Sequence, residues 1–151
     1  MKNIGSCYDE DLIKYLKDIG FINYRIIPQP SKTVETIARD FPVKHGRVYL
    51  DGLREERYIK SSESTLATDT AYLVNELIQT GICRADEKVI YIGDNLIENE
   101  YEFSLSDLQK FLPYLIDNIP QHHYFLFDCE TKLIFVSFES EIQFGIAQHT
   151  V

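Results

Sequence analysis

Residues 121–147 read QHHYFLFDCETKLIFVSFESEIQFGIA. Three runs rich in aromatic and β-branched residues, 121–127, 132–138 and 141–147, are joined by turns over DCETK and ESE. Short, sequential, turn-linked runs of this kind form an antiparallel meander. The fold class expected from them is α+β, with helices packed on a mainly antiparallel sheet that ends in this C-terminal three-stranded meander.

The same stretch holds His122, His123, Asp128 and Cys129, which together resemble a catalytic or metal-binding set. Strand geometry argues against that. Successive side chains alternate, so His122, Tyr124, Leu126 and Asp128 face one way, and His123, Phe125, Phe127 and Cys129 the other. Adjacent histidines on opposite faces cannot grip one metal, and zinc needs two further ligands. Cys129 shares a face with His123 but stands roughly 20 Å away at strand rise. Across the hairpin, a residue near Ser137 would oppose His123, so no third ligand converges. No metal and no cofactor are expected.

Upstream, the periodicity alternates between helix and strand. CYDEDLIKYLKDIG predicts a helix opened by acids at 9–11 and closed at Gly20, and FINYRII (21–27) a strand stopped by Pro28 and Pro30. A short helix over 32–41 ends before Pro42. Residues 46–64 fit a hairpin, with strands near 47–50 and 56–60 about an Asp51-Gly52 turn. TDTAYLVNELIQTG (68–81) is the clearest amphipathic helix, and Gly81 caps it. KVIYIGD (88–94) reads as a central strand. Residues 106–118 read as a second helix, with a Ser106–Gln109 capping box and a kink or break at Pro113.

One domain over residues 1–151 accommodates these elements, since no linker, repeat or low-complexity tract interrupts them. No run of about 18 apolar residues exists, and the N-terminus turns acidic by residue 9. A soluble cytoplasmic protein is expected. Three scattered cysteines without CxxC spacing agree with a reducing compartment and read as ordinary small apolar residues.

Charge is more informative once divided. Residues 1–83 carry 12 acids and 11 bases, whereas residues 84–151 carry 12 acids and 4 bases, a formal −8. Such a field repels nucleic acid and attracts cationic partners. Its densest part is GDNLIENEYEFSLSD (93–107), which holds Asp94, Glu98, Glu100, Glu102 and Asp107 and no base. In a strand over 98–103, the three glutamates would line one face, with Tyr101 and Phe103 on the other. Calcium would need the spacing of an EF-hand loop, which is missing. A basic protein partner fits better, with carboxylates meeting its Arg and Lys and Tyr101 as an anchor. Asp94 also stands just past a strand end, where enzymes hold catalytic carboxylates, but no phosphate loop or nucleophile elbow accompanies it.

Taken with the helix before it, the stretch VIYIGDN…YEFSLSDLQKFLPYLIDNIPQHHYFLFDCETKLIFVSFESEIQFGIA resembles the C-terminal half of immunity proteins of bacterial contact-dependent growth inhibition systems. The resemblance is carried by the proline-histidine-aromatic strand Pro120–Phe125, the hairpin after it and the closing E-x-E-I-x-F-G of Glu139–Gly145. It covers about residues 88–147. It implies a small, acidic, non-enzymatic cytoplasmic protein that binds a cognate toxin domain, a nuclease above all, and blocks its active site. No site residue transfers from it. The partner surface expected on charge is Asp94, Glu98, Glu100, Tyr101, Glu102 and Asp107. The rival expectations are a small hydrolase or transferase using Asp94 with His122 or His123, and an adaptor with an acidic docking face.

Overall fold

A computed structural model describes residues 5–45, 47–94, 96–127 and 131–147. In chain order the elements are α1 (Cys7–Asp18), β1 (Arg25–Ile26), α2 (Thr33–Asp40), β2 (Val43–Lys44), β3 (Arg47–Val48), β4 (Arg54–Lys60) and α3 (Leu66–Gln79). They continue as β5 (Lys88–Gly93), β6 (Tyr101–Ser104), α4 (Leu105–Asn118), β7 (His123–Phe127), β8 (Lys132–Val136) and β9 (Glu141–Ile146). Seven strands form one sheet in the order β1-β6-β5-β7-β8-β9-β4, antiparallel at every pairing. The chain is α+β, and β7–β9 are the meander read from the sequence.

That meander lies inside the sheet, and every residue of β7 and β8 is buried. This explains why FLF and LIFV are continuous apolar runs rather than alternating ones. One face packs on α1, α3 and α4 through Leu12, Leu16, Leu73, Leu77, Phe111 and Leu115, which meet Tyr91, Phe125, Ile134 and Phe144. The other face forms a second, smaller core in which Ile37, Phe41, Val48 and Leu50 cover Ile92, Tyr124, Leu133 and Phe135.

The second core redirects the region expected to be a hairpin. β3 pairs back onto β2, with Val43 opposite Val48, and β4 crosses to pair with β9 at the sheet edge. Leu50 and Val48 are buried between these strands, and the Leu50 amide donates to Gln143 Oε1 at 2.8 Å. The expected turn at Asp51-Gly52 does form, with the Leu53 amide donating to the Leu50 carbonyl at 3.3 Å, but the strands on either side of it pair with β2 and β9 instead of with each other.

The strand expected over 21–27 contracts to Arg25–Ile26, because Phe21 and Tyr24 turn their rings onto the helical core. Phe21 meets Phe111 edge-on at 4.9 Å. α4 starts earlier than its expected capping box. Leu105 is buried, and Ser104 is the N-cap, its Oγ accepting from the Asp107 amide at 3.2 Å. One helix runs through Pro113 rather than two abutting ones. Cys83 is buried as expected of a small apolar residue, whereas Cys7 is exposed on α1. Asp128 and Cys129 lie outside the described residues.

Candidate partner-binding face

The acidic run is held in place by residues from elsewhere in the chain. Asp9, on the first turn of α1, is buried, and Ser6 and Asp9 form a reciprocal capping box. Its carboxylate accepts from the Glu98 amide (2.8 Å), the Asn99 amide (3.0 Å) and the Tyr101 hydroxyl (2.6 Å). Burial alone would raise its pKa. The hydrogen bonds from Tyr101 and from the backbone of Glu98, Ser6 and Asn99 outweigh burial and hold it below the usual carboxylate value. One turn earlier, Gln121 Oε1 accepts from the Leu96 amide (2.6 Å) and the Ile97 amide (3.2 Å). Residues 96–100 are therefore a clamped loop, and the strand begins only at Tyr101.

This loop separates the six residues expected to act together. Tyr101 is fully buried and points at Asp9, so it cannot anchor a partner from the surface. Glu100 is buried too, and its carboxylate takes the Ser31 hydroxyl at 2.7 Å. Glu102 faces Arg25 across the β1–β6 pair at 3.5 Å, and Asp107 meets Lys110 at 3.1 Å. Asp94 and Glu98 are exposed, and neither makes an ion pair among the described residues. The glutamate row expected on one strand face is thus divided between core, ion pair and solvent.

The two histidines occupy different environments, as strand alternation requires. His123 is buried opposite Val136, one residue from the expected Ser137. Gln121 Nε2 donates to the Tyr91 hydroxyl at 3.3 Å, and that hydroxyl shares a hydrogen bond of 2.8 Å with His123 Nδ1 whose direction is set by the ring tautomer. The ring also hydrogen-bonds the backbone of Ile119. Burial, with a smaller contribution from His122, pushes the His123 pKa down to about 3, so the ring is neutral. His122 Nδ1 accepts from the Phe138 amide at 2.9 Å, while the His122 amide donates to Asp94 Oδ1 at 3.1 Å. Gly93 precedes that aspartate because the Gln121 side chain fills the space a Cβ would need.

A cavity of about 320 Å³ opens beside Asp94, between α2, the β2–β3 hairpin and the second face of the sheet. Its walls include Val34, Ile37, Val43 and Ile92, and Arg47 and Tyr124 complete it. Val34 and Val43 remain 62% and 47% exposed, so the opening itself is apolar. Arg47 is neutralised by Glu139 and Glu141, each 3.2 Å away, and its guanidinium lies 5.0 Å from the Phe135 ring centre. A second cavity, of about 350 Å³, lies near the end of α4 and contains His123. Asp94 and His123 therefore line different cavities, and His122 lines neither of the two. No group of three or more His, Cys, Asp or Glu among the described residues could hold a metal.

Sequence reasoning reached Asp94 and Glu98 but missed Asp9, Arg47, Tyr124 and the valines of the opening. Ser6-Cys7-Tyr8-Asp9 does carry the S-x-x-D capping signature, which marks Asp9 as engaged with backbone. Nothing local marks Arg47 or Val34, because their roles depend on the crossing of β4 and the packing of α2. Among the described residues no helix is long and apolar enough to cross a membrane. No family model, no curated protein and no solved structure matches this chain, so a functional reading of it rests on the site itself.

Proposed function

We propose that this chain is an immunity protein that binds a cognate bacterial toxin domain, a nuclease, and occludes its active site. The reading rests on one observation above the others. An exposed carboxylate without an ion pair among the described residues, Asp94, lies beside an apolar cavity, in the half of the chain whose 12 acids and 4 bases leave it strongly negative. A nuclease groove is cationic because it holds phosphates, and an anionic protein can occupy it in their place. Complementary charge speeds encounter and fixes register, while buried apolar anchors lengthen residence. The likeness to contact-dependent growth inhibition immunity proteins read from the sequence of residues 88–147, and the cytoplasmic location that goes with it, are part of this proposal.

The binding surface follows from exposure. Asp94 and Glu98 supply charge, and the apolar opening at Val34 and Val43 supplies the anchor site in place of Tyr101. A hydrolase would need the side chains of two of Asp94, His122 and His123 in one pocket. Asp94 and His123 line different cavities, and the contact recorded between His122 and Asp94 is through the His122 backbone amide, which favours the binding reading.

Genomic context and reconstitution test it together. The reading frame immediately upstream is expected to encode a domain that arrests growth when expressed alone and is silenced by co-expression of this chain. The purified pair is expected to form a 1:1 complex whose association slows as salt is raised. An upstream product that is harmless, or one that this chain neither binds nor silences, rejects the reading.

A further inference from the structure

The cavity beside Asp94 has a chemistry specific enough to name its occupant. Four aliphatic walls, Val34, Ile37, Val43 and Ile92, border space that no described residue fills. Tyr124 is only 7% exposed, and its ring packs against Phe135 at 4.9 Å. Its hydroxyl nevertheless has no hydrogen-bond partner among the described residues. Burial, reinforced by the charge of Asp94, pushes its pKa up to about 12, so the oxygen stays a neutral phenol. Asp94 Oδ1 is occupied by the His122 amide, which leaves Oδ2 without a partner among the described residues. With Arg47 held by two glutamates, the surroundings keep an excess of negative charge.

From this geometry we infer that the cavity receives a lysine side chain of the partner protein. The inference rests on the partner-binding reading above. Its four methylenes lie along the valines and isoleucines, and its ammonium donates to Asp94 Oδ2 and to the Tyr124 hydroxyl oxygen. An arginine fits less well. Its planar fork is best met by both oxygens of one carboxylate, and Asp94 has already committed one of them. A neutral aliphatic side chain would fill the walls but leave the carboxylate and the phenol unanswered.

N-acetyl-lysine N-methylamide, titrated into the isotopically labelled chain, tests this without the toxin. The amides of Ile92, Gly93 and Tyr124 are expected to shift saturably, with a Kd on the order of millimolar. The norleucine and arginine analogues should bind at least about fivefold more weakly, and Asp94→Asn and Tyr124→Phe should each weaken the lysine analogue about tenfold. Both substitutions keep the shape of the side chain, and an unchanged Tm establishes that the fold survives. The inference is overturned by an absent or unsaturable shift, by equal binding of the arginine analogue, or by unchanged affinity in Asp94→Asn. Binding of n-butylamine about tenfold tighter than the capped lysine would assign the cavity to a free amine instead. Self-association abolished by Asp94→Asn would assign it to a second copy, and either result overturns the inference. A toxin complex that tolerates both substitutions would remove the lysine contact and leave the immunity reading standing. Lysine binding with no toxin encoded nearby would do the reverse.

Discussion

The Tyr101 hydroxyl donates a 2.6 Å hydrogen bond to the buried carboxylate of Asp9, 92 positions away in the chain. That contact joins the first helix to the acidic run and converts the run from a strand face into a loop. It also accounts for the first 20 residues, which carry no recognisable chemistry of their own. Their helix supplies the acceptor around which residues 96–101 are folded.

Asp9→Ala should therefore be far more damaging than an ordinary helix-cap substitution. It removes the acceptor of the part-buried Glu98 and Asn99 amides and of the buried Tyr101 hydroxyl, and a loss of roughly 3 kcal/mol is expected. Tyr101→Phe removes one donor from a carboxylate that keeps the others, and should cost roughly 1–2 kcal/mol. Urea unfolding of both variants measures the difference. Equal losses would mean that Asp9 is not the centre of the network. Because its pKa is lowered on folding, Asp9 contributes its stability above the unfolded carboxylate range and loses it as pH falls through the lower folded value.

His123 produces an acid sensitivity of its own, at higher pH. The buried ring titrates at about 3 against 6.5 in the unfolded chain. Between those values the unfolded state binds the extra proton, so stability is complete above pH 6.5 and falls progressively as pH drops towards 3. At pH 5 the loss from this group is about 2 kcal/mol. Urea midpoints of the parent and of His123→Gln at pH 7.5 and pH 5 isolate it. The variant is expected to be less stable at pH 7.5 but to show a shallower decline, and parallel declines would clear His123 of the effect.

The parts of this fold that can be read in the sequence are those whose side chains answer to their own neighbours. The meander announces itself because aromatic and β-branched runs alternate with polar turns, and α3 because its stripe and Gly81 agree. The crossing of β4 to β9 cannot be read that way. Leu50 and Val48 are buried against residues as distant in the chain as Ile92 and Phe135, and the Asp51-Gly52 pair makes its turn without the hairpin that such a turn signals. The acidic run misleads for the same reason. Alternation predicts one face for Glu98, Glu100 and Glu102, but Asp9 and Gln121 hold residues 96–99 off the strand. The histidines show the converse, since pleat geometry suffices to separate them.

Lys132 and Glu87 form an ion pair of 2.6 Å with both side chains almost wholly buried, and Lys132 also donates to the Ile82 carbonyl at 3.2 Å. Removing one partner strands the other charge in the interior. Lys132→Met should cost roughly 3–5 kcal/mol, and Lys132→Met combined with Glu87→Leu should recover much of it. Thermal or urea unfolding of the single and double variants gives the coupling. A double variant as unstable as the sum of the singles would show that the two charges act independently.

Charge reversal separates the acids that face solvent from those that serve the fold. Asp94→Lys with Glu98→Lys changes exposed carboxylates that make no ion pair among the described residues, at the cost of one exposed hydrogen bond, from the His122 amide to Asp94. It should leave urea stability within about 0.5 kcal/mol while slowing association with the basic toxin domain by about tenfold or more at low salt. Glu102→Lys breaks only a surface pair with Arg25 at 3.5 Å and should cost less than about 1 kcal/mol. Glu100→Gln weakens the acceptor of the Ser31 hydroxyl in a buried setting, so its effect should fall on stability rather than on association. Stopped-flow association at two salt concentrations, beside urea curves for each variant, distinguishes these outcomes. If Glu100→Gln slowed association as much as the double reversal with its stability intact, the partner would reach the interior side of the loop, and the binding face would have to be redrawn around residues 98–102.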